Sequence, residues 1–377
     1  MIRATWRKLM PVGIVAAMIA SACSAAATPQ PTAAPTAASS VAPATSAPPA
    51  KPTNLAEYAA YQGSDRTAIL EACATKEGQV FWSSELAGGV ITAMKTAFQK
   101  KYPGIAVSEQ SVAGSDFVPR MVQERQAKKY TVDAFEMSSD SQLLIATLDM
   151  RQPYWSPALA NYQDDAKEVA TGGLVYQVVD RYSLMGFGYN TKLLPASAVP
   201  TTYADLLKPE LKGKMVMSGS GSSGAQLFGV LVTTQGADFA TKLKAQNYTI
   251  QQVSGRGLLD LITAGEVAGS PTIYQSHVKT DAAKGAPVAW VPLSPVSANA
   301  GGSSVAKDAP HPCAAVLLTD FILGADGRTV LDSFFYANPG AKFDYKLSVP
   351  GAGMTADAYN TKIKEWDALM RANATAK

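Results

Sequence analysis

The stretch Gln79-Val-Phe-Trp-Ser-Ser84 is a short apolar run closed by two hydroxyls, and the chain soon offers the same pattern again. Ile105-Ala-Val-Ser108 and Val132-Asp-Ala-Phe-Glu-Met137 have the length and composition of strands, the last running into Ser138-Ser139-Asp140-Ser141. Between them, 90–101 and 114–128 read as helices, the first entered through Gly88-Gly89 and closed by Lys100-Lys101. Strand, helix, strand, helix, strand in that order predicts a parallel sheet covered by helices. In such sheets ligands gather beyond the carboxyl ends of the strands, where loops and helix N-termini present donors. Ser83, Ser84, Ser139 and Asp140 are therefore candidate ligand contacts, and each also suits a helix cap.

Upstream, Ser64 is an N-cap candidate for a helix over 65–77, stopped by Gly78. Downstream, Leu174 to Gly188 alternates apolar and polar residues like one long strand, and a second cycle then begins. It comprises a strand Lys214-Met-Val-Met217, a loop Ser218-Gly-Ser-Gly-Ser-Ser-Gly224, helices 225–235 and 237–245, a strand Tyr248 to Gln252, a helix 256–265 and a strand Ala268 to Ile273. The remainder offers Val288-Ala-Trp-Val-Pro292, a Gly/Ser-rich stretch 297–304, and helices from Pro310 to Leu323, over 325–334 and over 355–370. With no third sheet begun, those helices must return to an existing layer. The expected organisation is α/β with two lobes: 54–185 in the first, 186–295 in the second, and 296–377 returning to the first and ending in helices.

Of 377 residues, 33 are basic and 30 acidic, but Arg3, Arg7 and Lys8 fall in a segment 1–22 that holds no acid. Without that segment the charges balance, which leaves no global attraction for nucleic acid or an anionic membrane. The segment itself reads as a signal peptide: a cationic start, fourteen apolar residues Leu9 to Ala22, then Cys23. That run is too short to span a bilayer. The pattern resembles a bacterial lipoprotein signal, which implies cleavage before Cys23 and lipidation of its thiol. Residues 24–53 are dominated by Pro, Ala, Ser and Thr, with Lys51 the sole charge. Such a stretch cannot bury enough surface to fold. Extended at about 3.1 Å per residue it would reach roughly 90 Å, so 23–53 is expected to tether an exported body to a membrane through lipid alone. Cys73 and Cys313 are left in an oxidising setting, where a disulfide and two separate buried thiols both remain open.

Several segments together resemble the substrate-binding proteins of bacterial ABC importers, in the branch that contains the ferric-ion-binding proteins. They are Ala72 to Ser84, Tyr189-Asn-Thr-Lys192, Pro200 to Gly213 with Tyr203-Ala-Asp-Leu-Leu207 and Pro209-Glu-Leu-Lys-Gly213, Gly265-Glu266-Val267, and Pro310-His-Pro-Cys-Ala-Ala315 on to Phe321-Ile-Leu323 and Gly327. The resemblance covers about 70–340. It implies the periplasmic-binding-protein fold, two lobes joined by crossing strands as a hinge, with a small solute enclosed between them and handed to a membrane permease. A monomer needing no cofactor is expected.

Iron binders of that family use adjacent tyrosines, where this chain has Thr272-Ile-Tyr274-Gln275-Ser276-His277. A metal site would need Tyr274 and His277 with a carboxylate such as Glu85. An anion is the stronger expectation. Ser218, Ser220, Ser222 and Ser223 sit in a loop between a strand and a helix, where hydroxyls, N–H groups and the helix dipole converge on a carboxylate or phosphate. Arg256 would add a bidentate partner, with Tyr274 walling the pocket. Gly219-Ser-Gly-Ser-Ser-Gly224 also matches a dinucleotide fingerprint, but Gln251-Gln252 stands where a ribose-binding acid is required. A hydrolase would need an activated serine, and His277 and His311 are the two histidines on offer, without a G-x-S-x-G elbow. A role in signalling to a sensor kinase is the remaining alternative.

Overall fold

The computed structural model describes residues 51–375; the expected signal peptide, Cys23 and most of the expected tether lie outside the described residues. Helices α1 (Leu55–Ala60) and α2 (Arg66–Glu77) precede β1 (Gln79–Ser84), α3 (Gly88–Lys101), β2 (Ala106–Ser111), α4 (Gly114–Ala127), β3 (Ala134–Ser138) and α5 (Ser139–Ala146). β1 pairs in parallel with β2 on one side and β3 on the other, the order that crossovers through α3 and α4 produce. β3 is buried along its whole length, as a strand covered on both faces must be.

After the short β4 (Arg151–Gln152) and β5 (Lys167–Val169) comes β6 (Val175–Asn190), sixteen residues long. At roughly 3.3 Å per residue it extends about 50 Å, enough to serve both lobes. The second lobe follows as β7 (Val216–Ser218), α6 (Ser223–Gln235), α7 (Asp238–Lys244), β8 (Thr249–Gln251), α8 (Gly255–Ala264), β9 (Gly269–Tyr274), α9 (Gln275–Ala282) and β10 (Val288–Val291). The chain returns along β11 (Val296–Ala306) to α10 (Pro312–Leu323) and α11 (Ala325–Ser333), then ends with β12 (Leu347–Ser348) and α12 (Ala356–Asn373). β6 and β11 pair antiparallel; β11 also pairs with β3, and the far end of β6 with β9 and β10. These two strands thus carry one hydrogen-bonded sheet from lobe to lobe.

The apolar cores stay separate. Trp82, Phe98, Phe117, Phe135 and Phe321 belong to a first-lobe cluster, whereas Phe187, Tyr203, Phe228, Leu231 and Tyr248 form a second-lobe cluster. Leu184, Val296 and Ala298 make a small cluster on the crossing strands. Cys73 on α2 and Cys313 on α10 are joined as a disulfide, their Cα atoms 5.7 Å apart across 240 residues of sequence.

Two departures from the sequence reading are instructive. The Gly/Ser-rich 297–304, to which the sequence reading assigned no element, is the middle of β11. A Cβ at Gly301 would collide with Arg181 and Glu136, and one at Gly302 with Gln177, so the glycines let long polar side chains of β6 and β3 cross the strand's face. The last helix also belongs elsewhere. α10 and α11 pack on the first-lobe core, but α12 lies on α6 and α7, with Met370 inside the second-lobe cluster.

Candidate functional site

A cleft of about 640 Å³ lies over the crossing strands, lined from both lobes. Because each parallel strand hands over to a helix at its carboxyl end, helix N-termini collect there. Ala87, Ala113 and Ser138, the N-caps of α3, α4 and α5, face the cleft from the first lobe. Ser222, Ser254 and Tyr274, the N-caps of α6, α8 and α9, face it from the second. Each such end carries roughly half a positive charge and unsatisfied N–H groups.

On the first-lobe wall the protein supplies its own anion. Glu85, the residue after β1, accepts from the Gly114 backbone N–H at 2.5 Å and from the Ser141 hydroxyl at 3.2 Å. Its other oxygen accepts both the backbone N–H and the hydroxyl of Ser138. One carboxylate thereby closes the N-termini of α4 and α5. Burial, followed by the nearby Asp140 charge, pushes its pKa up against the pull of the Ser138 bonds. Asp140, in the first turn of α5, lies 2.6 Å from the same Ser138 hydroxyl, whose one proton it shares with Glu85, and lines the cleft.

The floor comes from the crossing strands. Arg181 on β6 has a side chain only 4% exposed, 2.7 Å from Glu136 on β3. It donates to the Ser183 hydroxyl at 2.9 Å and lies 5.2 Å from the Tyr336 ring centroid. Its Nε and the Asn299 Oδ1 on β11 are buried without a hydrogen-bond partner among the described residues. Both residues line the cleft.

The second-lobe wall is open. Gly221, at φ 71°, turns the chain into α6, whose N-terminus has no side-chain cap. Ser254 caps α8 through the Gly257 N–H at 3.3 Å. Arg256 follows in the first turn, with Nη2 bonded to Asp260 at 2.5 Å and also to Asp281. Tyr274 and His277 meet edge to face at 5.7 Å. Burial raises the Tyr274 phenol to about 12; burial and then the Arg256 charge lower His277 to about 4.

The structure brings Asp140, Ser222, Arg256 and Tyr274 together in this cleft and leaves the other expected contacts out. Ser83 is fully buried within β1. Ser84 donates to Glu136 at 2.7 Å and accepts from the Leu86 N–H, fixing the β1 exit from beneath. Ser139 starts α5 on the face away from the cleft and lines another pocket, of about 310 Å³. Ser218 is buried, its hydroxyl donating to the Val253 carbonyl at 2.7 Å; Ser220 is exposed outside the cleft, and Ser223 is enclosed in the first turn of α6. Glu85, weighed in the sequence as a metal ligand, and His277, weighed as a metal ligand or a hydrolase base, both line the cleft. Arg181, Asn299 and Ser138 were missed. Their signal was faint, a charged residue inside an alternating strand and an asparagine in a glycine-rich run.

The family model for bacterial extracellular solute-binding proteins matches residues 93–336, and the chain belongs to that family. The two-lobed fold recurs in solved structures. The substrate-binding protein of an ABC transporter from Agrobacterium tumefaciens shares 16% identity, covering 78% of this chain and 94% of that one, at a TM-score of 0.66. Iron-bound HitA from Pseudomonas aeruginosa shares 18% over 79% and 99% of the two chains, at 0.62. AfuA from Actinobacillus pleuropneumoniae, with exogenous fructose-6-phosphate bound, shares 18% over 78% and 99%, also at 0.62. No curated protein matches the sequence at a significant level. Membership makes this an exported protein that binds a solute.

Proposed function

We propose that this chain is the solute-binding lipoprotein of an ABC importer, anchored through Cys23, that captures a small solute bearing a carboxylate or phosphate. The observation that carries the reading is the state of the second-lobe wall. Three helix N-termini meet the cleft there, and among the described residues no carboxylate of the protein hydrogen-bonds to their backbone N–H groups. An anion seated on α6 and α8 gains N–H donors and the dipole field, with the Arg256 guanidinium beside it. The first lobe offers less, because Glu85 already fills the N-termini of α4 and α5 and leaves only that of α3 uncapped. That a protein of this fold holds fructose-6-phosphate is consistent with a phosphate-bearing solute.

Only the closed form lets one solute touch both walls and the floor, so binding shifts the population toward closure, and the permease receives the closed form. A hard metal ion is poorly served. Glu85 is engaged by donors of Gly114, Ser138 and Ser141, and a phenol raised to about 12 gives up its proton reluctantly.

A thermal-shift screen over organic acids, phosphorylated compounds, polyamines and metal ions tests the reading. A ligand at a hundredfold excess over its Kd adds about 2.7 kcal/mol of apparent stability, and the hits are expected among the anions. Arg256→Ala should weaken such a hit by about tenfold or more, the scale of a charge-assisted hydrogen bond. A screen answered only by polyamines or metal ions would overturn the proposal.

A further inference from the structure

We infer that the solute is a zwitterion, carrying an ammonium group that docks on Asp140 while its anionic group sits on the second lobe; this rests on the anion reading above. The charges around the cleft decide it. Each guanidinium that faces the cleft already has an acid: Arg181 has Glu136, and Arg256 has Asp260 and Asp281. Glu85 has its helix ends and serines. Asp140 has only the Ser138 hydroxyl, whose one proton it shares with Glu85, and no basic partner within ion-pair distance among the described residues.

Closing the lobes strips water from whatever lines the cleft, and a carboxylate desolvated without a counter-charge is expensive. Among the described residues no basic side chain pairs with Asp140; Lys364 of α12 lines the adjoining cavity but is exposed to solvent, so an ammonium on the solute is the counter-charge placed to meet Asp140 inside the cleft. Placement agrees. The cleft runs on into an adjoining cavity of about 420 Å³, and both are walled by Asp140 and Ser141 from the first lobe facing Gly221 and Ser222 from the second. The unmatched carboxylate and the uncapped N-terminus of α6 thus look across one gap. A compact molecule with opposite charges a few bonds apart, such as an amino acid or an aminoalkyl phosphate, meets both, and neither a simple anion nor a simple amine does.

Isothermal titration of the full-length protein with matched pairs tests this: O-phosphoethanolamine against ethyl phosphate, β-alanine against propionate, with ethanolamine as the cation alone. At least one amino member should bind about tenfold or more tightly than its des-amino partner, the usual worth of a charge-assisted contact. Asp140→Asn should bring that member down to its partner's affinity while the melting temperature without ligand stays within about 2 °C. Amino and des-amino members binding equally would overturn the zwitterion and leave the anion reading standing. Ethanolamine binding as tightly as any zwitterion, or no measurable binding by any of the four anions at millimolar concentration, would overturn the anion reading and this inference with it.

Discussion

In the first lobe the N-termini of α4 and α5 end on Glu85; in the second, those of α6, α8 and α9 end on the cleft itself. Both walls arise from the same strand-to-helix handover, so the backbone offers the same electrostatics twice. The side chains break the symmetry. On the first wall a carboxylate of the protein closes two of the three helix ends, in a lobe that also carries the cross-link between α2 and α10, while on the second no carboxylate of the protein bonds to the helix ends among the described residues, which is the seat proposed for an anion. A binding protein can therefore be read by asking where it leaves its own dipoles and charges unmatched, and four substitutions and a pH series probe that contrast.

The largest expected effect falls on the complete lobe. Replacing both Cys73 and Cys313 by Ser removes a cross-link spanning 240 residues, which by the chain-entropy argument stabilises by about 5 kcal/mol. The denaturant midpoint should drop accordingly, whereas affinity for an anionic ligand, read under folding conditions, should hold within about twofold because the second-lobe wall is untouched. An unchanged midpoint would remove the cross-link from the contrast.

The two walls should also answer pH in opposite senses. His277, held down to about 4 by burial and Arg256, stays neutral in the folded protein where the unfolded chain, near 6.5, takes up a proton. Its contribution is therefore complete above about pH 6.5 and is lost as pH falls toward 4, a swing of about 3 kcal/mol. Glu85, pushed up by burial and Asp140, binds its proton more tightly folded than unfolded. Its contribution is complete below its unfolded value and is lost as pH rises through its folded one. Stability measured from pH 4 to 7 should accordingly become flatter in His277→Gln and rise more steeply with pH in Glu85→Ala, each compared with the unsubstituted protein. Slopes that shift in the same direction would end the claim that the walls titrate oppositely.

The alternation of strands and helices was legible because it depends on local periodicity: β1, α3, α4 and β3 fall within a few residues of the segments read from the sequence. Side-chain direction at the strand ends was not. Ser83 and Ser84 turn into the core, and the next residue, Glu85, is the one that reaches the cleft; a single residue of register separates the two outcomes. Arg181 was invisible for another reason. A charge in an alternating strand normally faces water, and what buries this one is Glu136, forty-five positions away in sequence but 2.7 Å away in space. The same long-range contact explains β11, whose glycines signal a loop until Arg181 and Gln177 are seen lying across them. Asp140, Ser222 and Arg256 were found because helix starts after strands are local features, and local features are what one chain displays.

The smallest test compares one glycine from each wall. Gly114 opens α4 against Glu85: a Cβ there would overlap the Ser141 hydroxyl and come within 2.8 Å of the Glu85 carboxylate. Gly221 opens the loop before α6 with nothing within 4 Å of its would-be Cβ, but at φ 71°. Gly114→Ala must therefore move a hydrogen-bonded carboxylate away from two helix ends, at a cost of about 2 kcal/mol typical of overpacking. Gly221→Ala meets only the left-handed backbone penalty of about 1 kcal/mol. Thermal unfolding of the two variants without ligand should rank them in that order. If Gly221→Ala proves the more damaging, the second-lobe wall is the more tightly built, and the assignment of the open seat to that lobe fails.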